Sequence, residues 1–150
     1  MTGHDKHPHD HSKPHPGAKA PAAATTLDHW PQIQAFLIST FTADVGSGTN
    51  AEADAAQNAP HAAFWQSMTY SQFVTGNVPG VTDPNTGAAL PILIVGNSQK
   101  SNIVMALQGT PGSIFDPTTG GIGQMPQGFT PITAAGIQRL ANWIDAGCPQ

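Results

Sequence analysis

Charge is scarce in this chain: only 9% of its 150 residues are Asp, Glu, Lys or Arg, against about a quarter in an ordinary globular domain. Basic residues are the scarcest. Lys6, Lys13 and Lys19 lie in the first 26 residues, and beyond them only Lys100 and Arg139 face seven acids, within a net charge of −4. Nucleic-acid binding needs a basic stripe to neutralise phosphates, so that class is excluded. An anionic membrane surface is disfavoured for the same reason. There is one cysteine, Cys148. It leaves no partner for an intrachain disulfide and no thiolate cage for a metal. No basic residue adjoins it in sequence to lower its pKa, so nothing marks it as reactive. No apolar run approaches the ~18 residues of a membrane span. The N-terminus lacks the apolar segment of a secretory leader, so the sequence as written reads as soluble and cytoplasmic, or as exported if a leader has been removed.

Glycine (16) and proline (14) are plentiful instead, which argues for short helices joined by long loops. Residues 1–26 carry no large apolar side chain after Met1 but hold five of the seven histidines: His4, His7, His9, His11 and His15. Such a segment buries too little apolar surface to offset chain entropy and is expected to be a disordered tail. Residues 27–150 then form the domain.

The first helix is expected over 28–41, opened by Asp28 or His29 with Pro31 in the first turn. Trp30, Ile33, Phe36, Leu37 and Phe41 share its buried face. The small, polar stretch 42–60 reads as a loop with at most a weak helical turn. A short helix is expected over 61–67, and a second is opened by Thr69, with Gln72 at capping-box spacing and Gly76 as its stop. Residues 77–91 read as a turn-rich loop, and Pro91–Gly96 as a short strand or extended segment. Ser98 is expected to cap a helix over 99–108 that ends at Gly109. Residues 110–131 form a long loop, of the kind that usually has a function. Thr133 caps the last helix, 134–146, which Gly147 and Pro149 end. The expected class is mostly α, with four or five short helices and no convincing internal repeat.

The C-terminal two-fifths carries a recognisable order: Val95-Gly96, Ser98 to Ser101, Leu107-Gln108-Gly109, Gln124-Met125-Pro126, Pro131-Ile132-Thr133 and Trp143-Ile144-Asp145-Ala146-Gly147-Cys148-Pro149. This resembles the second half of the cytochrome c-like domains of bacterial oxidoreductases. The resemblance implies a cytochrome c-like helical bundle. Those domains hold haem covalently through C-x-x-C-H, whereas the corresponding region here, His61-Ala62-Ala63-Phe64-Trp65, has no cysteine. Covalent haem is therefore excluded. Phe64, Trp65 and neighbouring apolar groups are expected to fill the haem space, because a large void is costly.

Two sets of residues carry candidate chemistry. Met125 sits where the family's methionine ligand lies, and His61 lies near its histidine region. Together they form the candidate pair for a non-covalent haem. The plain alternative is that Met125 packs against Trp143 and His61 caps a helix. In the tail, removal of Met1 exposes Thr2-Gly3-His4. An α-amine, two peptide nitrogens and an imidazole form a square-planar set suited to Cu(II) or Ni(II). His7, His9, His11 and His15 add imidazoles for Cu, Ni or Zn(II). Glu52, Asp54 and Asp44 lack a calcium-loop pattern. No nucleophile elbow, phosphate loop or zincin helix is present. With only His29 and His61 outside the tail, little remains for acid–base catalysis. The sequence reads as a non-catalytic accessory domain with a metal-capturing tail, serving a metalloenzyme or oxidoreductase. The alternative is an electron-transfer protein with non-covalent haem.

Overall fold

The computed structural model describes residues 26–42 and 50–150. The described residues are predominantly helical, with one small sheet. Helix α1 spans Trp30–Leu37 and continues as a π-helical turn, Ile38–Thr42. Next come α2 (Ala51–Asn58), α3 (Phe64–Ser67) and α4 (Tyr70–Thr75). The two-stranded antiparallel sheet pairs β1 (Asn77–Thr82) with β2 (Ala89–Pro91). A 3-10 turn (Ser98–Lys100), α5 (Asn102–Gln108) and α6 (Ala134–Asp145) complete the order.

Local chemistry accounts for most boundaries. His29, not Asp28, precedes α1: its backbone N–H donates to Gln32 Oε1 (3.0 Å). Asp28 is drawn off instead by Arg139, whose Nε and Nη2 donate to its two carboxylate oxygens at 2.7 and 2.9 Å. That guanidinium holds the Asp28 carboxyl below its ordinary range. Thr69 and Gln72 form the expected capping box on α4. Thr133 Oγ1 accepts from Gly136 N–H (3.1 Å) and opens α6.

Four expectations are corrected. The stretch 42–60 is not all loop, because Ala51–Asn58 is helical. Asn50 Oδ1 accepts from Ala53 N–H (3.1 Å), Glu52 and Asp54 complement the helix dipole, and alanines favour the helical state. Residues 77–91 form a hairpin rather than a simple loop. The turn between its strands is set by Asp83, whose Oδ1 accepts from Asn85 N–H (2.7 Å) and whose carbonyl accepts from Gly87 N–H (2.8 Å). Of the Pro91–Gly96 segment only Pro91 joins a strand; Ile92 and Leu93 are buried side chains on irregular backbone. Asn97, not Ser98, caps the turn before α5, its Oδ1 accepting from Lys100 N–H (3.2 Å).

The core is an aromatic stack flanked by aliphatics. Trp30 lies 4.7 Å from Phe73 and 6.0 Å from Trp143, centroid to centroid. Ile33, Leu37, Ile92, Leu140 and Ile144 are fully buried around them. The C-terminal residues close this core. The Pro149 carbonyl accepts from Trp30 N–H (3.0 Å) and from Trp143 Nε1 (2.9 Å). Tyr70 Oη donates to the Cys148 carbonyl (2.7 Å), and His29 Nδ1 donates to that of Gln150 (2.7 Å).

Candidate functional site

Beside this core lies an open apolar cleft of about 450 Å³. Its floor is a second aromatic group continuous with the first. Phe64 stacks on Phe73 at 6.1 Å and meets Trp65 at 5.2 Å, and Trp65 meets Phe41 at 5.6 Å. Phe64 and Trp65 are buried members of the core that also line this cleft. Their other attachments hold them there. Phe64 is held by Phe73, Trp65 Nε1 donates to buried Thr42 Oγ1 (3.3 Å), and Gln34 Nε2 donates to the Trp65 carbonyl (2.9 Å). The π-helical turn after α1 brings Phe41 and Thr42 to this corner.

Two further walls come from segments expected as loop and a third from the expected helix α5. Glu52, Ala55 and Ala56 of α2 line one side, and Val78 and Val81 of β1 another. Gly80, at φ 66, lets the hairpin lie against Pro60: a Cβ there would sit 2.5 Å from the Pro60 carbonyl oxygen. Ile103, Ala106 and Leu107 of α5 face the cleft from below the long loop. That loop is pinned to α5. Met125 N–H donates to the Ala106 carbonyl (2.9 Å) and Gln124 Nε2 to the Leu107 carbonyl (3.0 Å). Gly109, left-handed at φ 60, leaves room for Gln124, whose side chain a Cβ would meet at 2.8 Å.

His61 and Met125 both line this cleft. Met125 is partly buried and packs against the hydrophobic core, of which Trp143 is a member. His61 caps no helix: it packs on Phe64 and Trp65 at 5.8 and 6.2 Å, and its Nδ1 lies 2.6 Å from the Ala62 carbonyl. A carbonyl only accepts, so Nδ1 carries a proton in this contact. Two other polar side chains of the lining each have one N–H committed. Asn102 Nδ2 donates to the Pro91 carbonyl (2.7 Å), and Gln127 Nε2 donates to the Ile122 carbonyl. Among the described residues Glu52 is the one carboxylate of the lining, burial raises its pKa above the ordinary range, and no Lys or Arg lines the cleft.

A non-covalent haem is therefore matched only in part. Its iron would find an imidazole nitrogen and a thioether, and its faces would find rings. Its two propionates would find no cation and would share the site with Glu52. As a whole the lining does not fit the group.

The tail residues Thr2, Gly3, His4, His7, His9, His11 and His15 lie outside the described residues. Among the described residues no three His, Cys, Asp or Glu side chains come together to hold a metal, and no helix is long and apolar enough to cross a membrane. Cys148 is only 1% exposed, and desolvation lifts its thiol from an ordinary 9.0 to about 11. Below pH 9.0 the folded and unfolded chains both carry the thiol, so stability is unaffected. Between 9.0 and about 11 only the unfolded chain ionises, and stability is expected to fall. Urea midpoints measured from pH 8 to 11 test this: Cys148→Ala should flatten the decline. In the native protein the same thiol should resist an aromatic disulfide reagent that reacts at once after denaturation.

No family model, no curated protein and no solved structure matches the chain.

Proposed function

We propose that this chain is a non-catalytic binding domain, accessory to a metalloenzyme or oxidoreductase, whose cleft holds a small hydrophobic molecule and whose tail captures a metal ion. The observation that supports the first part is the cleft: its roughly 450 Å³ falls in the size range of small-molecule sites and its walls are rings and aliphatic chains. Its lining brings no nucleophile beside a base, so binding rather than turnover is the reading. A neutral solvatochromic dye such as Nile red should bind saturably at one equivalent. Ala106→Trp, which fills the cleft from α5, should weaken that binding about tenfold or more while the far-ultraviolet spectrum stays helical. Absence of saturable binding would remove the cleft from consideration.

The tail's metal capture rests on the amino-acid order Thr2-Gly3-His4 and the four further histidines. Titration calorimetry with Cu(II), then Ni(II) and Zn(II), should show binding by the whole chain and little by a chain lacking residues 2–15. Equal uptake by both would end that part.

A second reading, non-covalent haem in electron transfer, is favoured by the presence of His61 and Met125 in one cleft and opposed by the missing cations. On the lining described, added haemin should give no sharp Soret band that depends on His61. A band abolished by His61→Ala would establish the second reading in place of the first.

A further inference from the structure

Among the described residues Glu52 is the one carboxylate of the cleft lining, and no Lys or Arg accompanies it. Asn102 and Gln127 each spend one N–H on the carbonyls of Pro91 and Ile122 and keep the second beside their Oδ1 and Oε1 atoms. His61 directs Nδ1 at the Ala62 carbonyl. Trp65 spends its Nε1–H on Thr42. Glu52, the remaining polar side chain of the lining, has no hydrogen-bond or ion-pair partner among the described residues, and its carboxylate only accepts. Among the described residues the lining thus offers one carboxylate and no Lys or Arg. A carboxylate or phosphate ligand would meet a like charge with no Lys or Arg to balance it. A ligand that brings a protonated nitrogen on an apolar body would meet the charge of Glu52, and aromatic walls attract a cation as well.

We propose that the occupant of the cleft is a hydrophobic amine, an apolar ring or chain bearing one protonated nitrogen, with Glu52 as the residue that meets its charge. This rests on the reading of the cleft as a ligand site and adds the ligand's class. Burial strengthens the pairing: a partly desolvated carboxylate without a partner gains more from a cation than one bathed in water.

Three isosteric probes test it at pH 7 by calorimetry: 1-naphthylmethylamine, 1-naphthalenemethanol and 1-naphthoate. The amine should bind tightest and the carboxylate weakest, with about tenfold or more between them. Glu52→Gln should cost the amine about fivefold while the alcohol stays within about twofold, which also shows that the variant's cleft is intact. Naphthoate binding as tightly as the amine, or an amine indifferent to Glu52→Gln, overturns the proposal. If all three probes bind alike and Ala106→Trp blocks them, the cleft reading stands and the ligand class is wrong. If none binds, the cleft reading itself falls.

Discussion

Alanine in place of Trp143 should cost about 3–5 kcal/mol, a large part of the 5–15 kcal/mol that holds an ordinary domain folded. Trp143 is the largest fully buried side chain, with no measurable exposure. It touches Trp30 at 6.0 Å and Phe73 at 6.3 Å, so its removal opens a void between α1, α4 and α6 that those rings cannot close. It also donates to Pro149, so the variant loses the contact that holds the C-terminal segment down. Trp143→Phe should fall between the two: it keeps most of the volume and loses the indole donor. Urea unfolding followed by circular dichroism gives the comparison. An alanine variant within about 1 kcal/mol of the parent would mean that the core lies elsewhere.

Removal of Cys148, Pro149 and Gln150 should be nearly as severe, about 3–5 kcal/mol. The loss deprives Trp30 N–H and Trp143 Nε1 of their shared acceptor and Tyr70 Oη of its own. Donors at buried or half-buried positions that lose a partner cost about 1–3 kcal/mol each. The thermal midpoint should drop by about 10 °C or more. Tryptophan emission should shift to longer wavelength as the indoles of Trp30 and Trp143 meet water. Pro149→Ala separates the backbone from the ring. It keeps the carbonyl, so it should cost little, and a large loss there would assign the effect to the pyrrolidine.

The elements that sequence announced are those whose ends are written in side chains. Thr69 with Gln72, Thr133, Gly109 and Gly147 each mark a helix boundary by a local interaction, and local interactions can be read along a line of letters. Helix α2 escaped because its apolar face is only alanine, too weak a periodic signal, although Asn50 with Glu52 and Asp54 is a legible start. The hairpin escaped because Pro79 and Gly80 argue against a strand. In a sheet of two strands every residue sits at an edge, so proline is tolerated there. The tight turns at Asp83-Pro84-Asn85-Thr86-Gly87 and Asp116-Pro117-Thr118-Thr119-Gly120 are near copies of one another, too short to register as an internal repeat. In each, the first carbonyl accepts from the glycine N–H at 2.8 Å.

His61 and Met125 were legible as candidates through a resemblance, and the structure brings them to one cleft. The cleft itself was not legible. The ties of Phe64 and Trp65 to Phe73, Thr42 and Gln34, which set its floor, are long-range contacts that no local pattern announces. The place of Glu52 in the lining was hidden for the same reason: only the fold brings α2 beside these rings.

The bond from Trp30 N–H to the Pro149 carbonyl puts the opening of α1 beside the end of the chain described here. The start of α1 and the C-terminal residues therefore share one side of the molecule. A unit threaded this way can be spliced into a host polypeptide without stretching it, since the host resumes almost where it left off. Anything fused before Asp28 and anything fused after Gln150 become neighbours in space, however far apart they stand in the gene.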